Sequence, residues 1–269
     1  MTPEEQHQWR RSGYFVRERV FSGAALETLR AAVEHVAEAA VRQCERGTPY
    51  WLDGKRFVDV GHTTIQFEHS PPSDTVRVIE PVHDQHPALD ALVDDPRIVE
   101  PVRSIIGSDE VTLWSDKLNL KRPREGTGFG WHQDSPYWVH ACKHVDKLPN
   151  VMVVLDDAHL GNGCFQVIEG SHVEGCLPGT DDGTQLGGFY TDPGSFDLDR
   201  AVPLEVPAGS LVFFSPHIVH GSEPNRSAEP RRALVYTYQP AGFPMLKSGL
   251  FRRPGAGVTG AGRILDPAG

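Results

Sequence analysis

Two hydrophobic periods divide the chain near residue 110. Before it, apolar positions recur at helical spacing. "TPEEQHQWRRSG" opens with Thr2 as an N-cap, Pro3 at the first helical position and Glu5 three residues after Thr2, and Gly13 ends it. "YFVRERV" reads as a strand, and Ser22 then caps a longer helix with Leu26, Leu29, Val33, Val36 and Ala40 on one stripe. Residues 87–106 read as two short helices, with Pro96 opening the second and Gly107 just past its end. Residues 45–86 follow neither period. They mix aromatics with turn residues such as "SPPSD" and read as a long lid or binding loop. From 111 the period becomes two: "VTLWSDKLNLK", "VMVVLDD", "CFQVIEG", "SLVFFS" and "RALVYTYQP" are strands, separated by turn clusters such as "HLGNG" and "GTDDGTQLGG". Consecutive short strands with long connections predict a mainly β fold with flanking helices, a jelly roll rather than βαβ units. The reading is one domain over 1–269: a helical part to about 106, a jelly-roll core at about 107–240 and a loosely ordered tail from about 253.

Composition narrows the function classes. The 269 residues carry a formal charge of −10, which disfavours a nucleic-acid surface. No Lys/Arg-rich run suits anionic lipid, no stretch approaches a membrane span, and the N-terminus lacks a signal-peptide core. Cys44, Cys142, Cys164 and Cys176 form no CxxC pair and read as free thiols of a reducing cytoplasm.

The candidate chemistry starts at "GWHQDSPYW", residues 130–138. In an extended strand, His132 and Asp134 would share a face about 6–7 Å apart along the chain, whereas a helix would splay them by about 200°. A metal then needs a third ligand from a later strand. "SLVFFSPHIVHGSEPNRS" offers His217 and His220, the latter heading "HGSEPN" just after a strongly apolar strand. Two histidines and a carboxylate on one face of a metal are diagnostic of non-haem Fe(II) oxygenases. Arg231 and Arg232 follow at the start of a strand, where a buried guanidinium clamps a carboxylate. Strand alternation lets only one of them face a pocket: Arg231 with Ala233, Val235 and Thr237, or Arg232 with Leu234, Tyr236 and Tyr238. The smaller set suits a pocket.

The HxD, "HGSEPN" and the following Arg resemble the phytanoyl-CoA dioxygenase family of iron(II)- and 2-oxoglutarate-dependent oxygenases, which fold as a double-stranded β-helix. "DDAHLGNGCFQVIEGSH" resembles the family's central stretch, with Gly161 where Glu is usual and Glu169 where Pro is usual. The resemblance covers roughly residues 8–240 and includes ectoine hydroxylase-like members. It implies that His132, Asp134 and His220 bind Fe(II). It implies Arg231 and Ser222 on the distal carboxylate of 2-oxoglutarate, Phe129 and Trp138 as walls of that site, and Lys117 and Asn119 as polar pocket residues. His217 and His140 then lie outside the ligand set. The implied reaction consumes O₂ and 2-oxoglutarate, releases succinate and CO₂, and hydroxylates an aliphatic C–H of a small or medium-sized metabolite, as in secondary metabolism. Halogenating relatives have a small residue in place of the carboxylate, so Asp134 favours hydroxylation, desaturation or cyclisation. The substrate is expected to touch residues 45–75, 139–150 and 240–252. Oligomeric state is open. Two other readings stand beside this one: a cupin-like metalloenzyme without 2-oxoglutarate, which has no need of Arg231, and a non-catalytic binding protein on the same barrel.

Overall fold

The computed structural model describes residues 1–69 and 73–261. The first three residues of the "SPPSD" turn and the last eight residues of the tail lie outside that range. α1 (Pro3–Ser12) begins with a reciprocal cap: Thr2 Oγ1 accepts from the Glu5 N–H at 3.1 Å, and the Glu5 carboxylate accepts from the Thr2 N–H at 2.8 Å. β1 (Tyr14–Arg17) follows, then α2 (Gly23–Gln43), whose Leu26, Leu29, Val33, Val36 and Ala40 are buried. Ser22 precedes α2 without making a side-chain cap.

Residues 45–86 depart from the sequence expectation. They form four strands, β2 (Thr48–Leu52), β3 (Lys55–Val60), β4 (Thr63–Phe67) and β5 (Val76–Glu80), paired in an antiparallel meander. β2 and β3 bury few side chains, so no alternation marks them. Their signal was the turn. Asp53 and Gly54 both have positive φ, 49° and 74°, the geometry an Asp-Gly pair supplies to a two-residue hairpin. The segment before residue 106 is therefore mixed rather than helical. It ends with α3 (Pro87–Val93) and α4 (Pro96–Ile106), closed by Gly107 at φ 74°.

The rest comprises β6 (Val111–Lys121), β7 (Phe129–His132), α5 (Ser135–Trp138), β8 (Asn150–Val154), β9 (Gln166–Ile168), β10 (Ala201–Pro203), β11 (Leu211–Phe214), β12 (His220–Ser222) and β13 (Arg231–Pro240). A hairpin of β14 (Leu250–Arg253) and β15 (Gly257–Ala261) comes last. Buried Arg252 ties it to α3 and the residue after it, through Asp90 at 2.7 Å and Asp94 at 2.8 Å, so the first part of the tail is ordered structure. The strands form a nine-stranded sheet, ordered β1-β11-β8-β13-β6-β5-β4-β3-β2, and a four-stranded sheet, β10-β9-β12-β7. This is the jelly roll with flanking helices.

Alternation along the central strands sets the two cores. Leu234, Tyr236 and Tyr238 of β13, with Val151 and Val153 of β8, belong to the core that includes α2, α3 and α4. Ala233, Val235, Met152, Val154, Val212 and Phe214 belong to a second core, with Phe165 and Val167 from beside and within the small sheet. The hydroxyls of Tyr236 and Tyr238 donate to the carbonyls of Leu89 and Val93 at 3.0 Å, fixing which face of β13 meets the helices. The four cysteines are unpaired. Among the described residues no helix is long and apolar enough to cross a membrane.

Candidate active site

His132 ends β7 and His220 begins β12, and the two are direct register partners in the antiparallel pair. Their rings therefore emerge side by side, with centroids 4.2 Å apart. Asp134 arrives differently from the sequence expectation. The strand stops at His132, and Asp134 adopts helical angles (φ −77°, ψ −30°) just ahead of α5. Ser135 N–H bonds the Pro216 carbonyl at 2.9 Å, which turns the chain there. The turn still brings the carboxylate to the histidines: one ligand atom from each of His132, Asp134 and His220 lies within 4.8 Å of the others.

Each imidazole is oriented by its own backbone. His132 Nδ1 lies 2.7 Å from the Gly130 carbonyl and His220 Nδ1 2.9 Å from that of Ile218. Donation from Nδ1 leaves Nε2 with its lone pair free, the arrangement a metal requires. Burial, then His220, pushes the His132 pKa down to about 3, and burial lowers that of His220, so both rings stay neutral. Burial acts to raise the Asp134 pKa, but Lys117, the two histidines and a hydrogen bond from Asn150 more than offset it. Asp134 stays ionised. Asn150 Nδ2 donates to Asp134 Oδ2 at 2.9 Å, and Thr237 Oγ1 donates to Asn150 Oδ1 at 2.5 Å. Two neutral nitrogens and one held carboxylate fit Fe(II).

Behind the triad a narrow pocket runs between the sheets to Arg231. Arg231 is 3% exposed and donates to the Gly163 carbonyl at 2.9 Å, while its Nε has no partner. Burial lowers its pKa to about 10. Its register partner on β6 is Lys121, equally buried. Lys121 Nζ donates to Ser222 Oγ at 2.7 Å, to the Gly163 carbonyl at 3.3 Å and to the Glu223 carbonyl. Burial first, then Arg231 and Arg77, push Lys121 down to about 6. A buried guanidinium beside an amine that gains a proton when an anion arrives favours an anion between the sheets. Ser222 Oγ accepts from Lys121 and keeps its own hydrogen for a ligand. Phe129 lines the pocket under the Arg77 guanidinium, 3.8 Å from the ring centroid, and Asn119 Oδ1 is buried without a partner. Gly163 is forced: at φ +72° a Cβ would lie 2.1 Å from the Glu223 carbonyl and 2.7 Å from Lys121 Nζ. A metal end and a cation end in one pocket fit a dicarboxylate that also chelates through a keto acid.

An outer cavity of about 350 Å³ reaches His132 and Asp134 from the other side. Lys117 and Asn119 line both spaces, and Lys117 Nζ lies 3.7 Å from Asp134 Oδ1. The structure puts Trp138 on this outer cavity, edge-on to Trp114 at 6.4 Å, rather than beside Arg231. Phe57 and Gln66 from the meander and Leu246 line it as the sequence led one to expect, but residues 139–150 do not. His140, Cys142 and His144 surround a separate apolar cavity, and Leu186 and Tyr190 take the expected place of that segment. His217 pairs with Asp146 at 2.7 Å, away from the triad. Arg232 points outward to Asp156, at 2.6 and 2.9 Å, and Glu34, at 3.0 Å. Sequence reasoning missed Asn150, hidden at the head of an apolar strand, and Lys121, whose place at a strand end suggests solvent.

Residues 9–233 match the family model described as phytanoyl-CoA dioxygenase (PhyH). L-proline trans-4-hydroxylase of Streptomyces griseoviridis is 31% identical over 183 residues, covering 62% of this chain and 68% of that one. The ectoine dioxygenase of Bordetella bronchiseptica is 29% identical over 258 residues, covering 88% and 75%. Among solved structures, EctD from S. alaskensis with 2-oxoglutarate and 5-hydroxyectoine has a TM-score of 0.69 at 22% identity, over 98% of this chain and 87% of that one. The α-ketoglutarate-dependent carbocyclase SnoK from nogalamycin biosynthesis has a TM-score of 0.64 at 22% identity, over 90% and 85%. The solved structures bear on the fold; the family model, spanning most of the sequence, bears on kinship and chemistry. The chain belongs to the phytanoyl-CoA dioxygenase family and is an iron- and 2-oxoglutarate-dependent dioxygenase.

Proposed function

We propose that the chain hydroxylates an aliphatic C–H of a small or medium-sized metabolite, with residues 1–269 acting as one catalytic domain. His132, Asp134 and His220 hold Fe(II), and Arg231 with Ser222 holds the distal carboxylate of 2-oxoglutarate. The observation that carries the reading is the single pocket joining a buried His-Asp-His cluster to a buried Arg. Held by these residues, Fe(II) and 2-oxoglutarate would supply, with O₂, the oxidant for the C–H, with succinate and CO₂ as the co-products. The protein's part is positional. Gly130 and Ile218 carbonyls aim the imidazoles, Asn150 fixes the carboxylate, and Arg231 and Ser222 set the cosubstrate's depth. Phe129 walls the cosubstrate, Lys117 and Asn119 stand where cosubstrate and substrate spaces meet, and Trp138 bounds the substrate side.

A place in secondary metabolism is supported by likeness to SnoK, and a cytoplasmic location by the unpaired cysteines. The negative net charge and a cavity of about 350 Å³ favour a small molecule over nucleic acid or membrane. The test is succinate release by the purified chain with Fe(II), O₂ and 2-oxoglutarate across a metabolite panel. Release is expected to be slow alone and faster with the true substrate, whose product gains one oxygen. O₂ uptake indifferent to 2-oxoglutarate would favour the cupin-like reading. A product that loses hydrogen without gaining oxygen would favour ring closure or desaturation, and a chlorinated one would contradict the role given to Asp134.

A further inference from the structure

We propose that the substrate carries an acid group, a carboxylate, phosphonate or sulfate, and that Lys55 and Lys247 bind it. The proposal rests on the reading of the outer cavity as the substrate site. The cavity wall is electropositive within a chain of net charge −10. Its cations are Lys55, Arg77, Lys117 and Lys247, and its carboxylates are Glu80 and the candidate metal ligand Asp134. Arg77 is offset by buried Glu68 at 4.0 Å, and Glu80 offsets one lysine. Two positive charges remain among Lys55, Lys117 and Lys247 after Asp134 is assigned to the metal, and Lys117 is the one that stays beside Asp134. The cosubstrate does not account for Lys55 or Lys247, because its distal carboxylate has Arg231 and Ser222 in the inner pocket, which neither lysine lines.

The bland alternative is a pair of solvated surface lysines. Three observations oppose it. Both side chains are half-buried. They come from distant parts of the chain, the β2–β3 hairpin and the segment before β14, and reach the same cavity. Each ammonium is held in place by a neutral hydroxyl: Lys55 Nζ by Tyr190 at 2.8 Å, Lys247 Nζ by Thr64 at 2.7 Å. Among the described residues neither forms a salt bridge. Lys55 feels the Asp182 carboxylate at longer range, and a held, half-desolvated ammonium with no carboxylate in contact is a binding group for an anion. His69, in the connection between β4 and β5, feels Arg77 and Lys55 as well as its own burial. Burial first, then Arg77 and Lys55, lower its pKa to about 4. A field of this sign also draws anions into the cavity from solution.

The test uses the iron-loaded wild-type chain at saturating 2-oxoglutarate. Small carboxylates, phosphonates and sulfates are compared with neutral amides or esters of the same skeletons, reading succinate release above the substrate-free rate. Acids are expected to stimulate, with the neutral partner losing about tenfold to hundredfold in apparent affinity, the range of a charged hydrogen bond. Lys247→Gln and Lys55→Gln should each raise the KM of the best acid, and Lys247→Arg should restore it. The proposal is overturned if neutral or cationic compounds stimulate as well as their acids, if no acid in the panel stimulates, or if both Gln variants keep the wild-type KM. Failure of the underlying oxygenase reading looks different: no 2-oxoglutarate-dependent succinate at all, with or without any compound.

Discussion

Replacing Arg231 by Ala removes a guanidinium that is 3% exposed and aimed, with Ala233 and Val235, into the space between the sheets. A carboxylate bound there would be left desolvated and short of its partner. Breaking a buried charge pair costs about 3–5 kcal/mol. That corresponds to roughly two to three and a half orders of magnitude in affinity. Lys121 stands beside Arg231 and retains part of the attraction, so the lower end of that range is expected. Arg232→Ala is the control one residue away. It loses a two-point contact to Asp156 and one to Glu34. These are charged hydrogen bonds at a half-buried position, worth about 1.5–3 kcal/mol. For a chain of this size Tm should fall by about 2–4 °C per kcal/mol, with the KM for 2-oxoglutarate changed at most about threefold. The assay is the KM for 2-oxoglutarate in succinate release, alongside thermal unfolding of each variant. If Arg232→Ala loses 2-oxoglutarate while Arg231→Ala keeps it, the register of β13 is wrong by one and every inward residue on it changes face.

His132→Ala, Asp134→Ala and His220→Ala should each remove most bound iron and turnover, read by metal content after anaerobic loading, while His217→Ala should keep its iron. Asn150→Leu leaves Asp134 without its 2.9 Å donor and should weaken Fe(II) affinity about 10–100-fold without abolishing it. Lys121, with its pKa pushed down to about 6, is mostly neutral at pH 7 in the free chain, and a dianion beside it raises that pKa. Binding of 2-oxoglutarate should therefore take up a proton and weaken as pH rises above about 6; calorimetry in buffers of different ionisation enthalpy reads this directly, and a Lys121→Met variant should show no such uptake.

How much of this was legible in the sequence depended on whether a residue's surroundings were local. β6 and β13 announced themselves because both faces carry strand formers, and the α1 cap because Thr2, Pro3 and Glu5 are neighbours. The meander did not, since β2 and β3 lie half in solvent and their hydrophobic pattern is blurred; only the Asp53-Gly54 turn pointed to a hairpin. The HxD spacing led to a pair that the structure does bring together, but by another geometry: extended backbone was expected, and the chain instead turns after His132 and still delivers the carboxylate. Lys121 was invisible because its burial depends on Ser222, Glu223 and Gly163, each about forty or more residues further on, closing over it.

The meander of residues 48–80 belongs to the same sheet as β6 and β13, yet none of the three candidate metal ligands lies on it. It does supply Lys55, Phe57 and Gln66 to the outer cavity, and the Asp53 carboxylate at its tip accepts from the Gln185 and Leu186 N–H groups at 3.0 and 2.7 Å. If the outer cavity takes the substrate as proposed, the meander contributes to the choice of molecule from a stretch of chain that carries none of the candidate metal ligands. On that reading, drift in the β2–β3 hairpin would change what is admitted while leaving the β7–β12 pairing of His132 with His220 in place. For anyone retargeting this scaffold, residues 48–66 and 181–189 are the positions to exchange, while Tyr190, which bridges His132, stays with the β7–β12 pair as the part to leave alone.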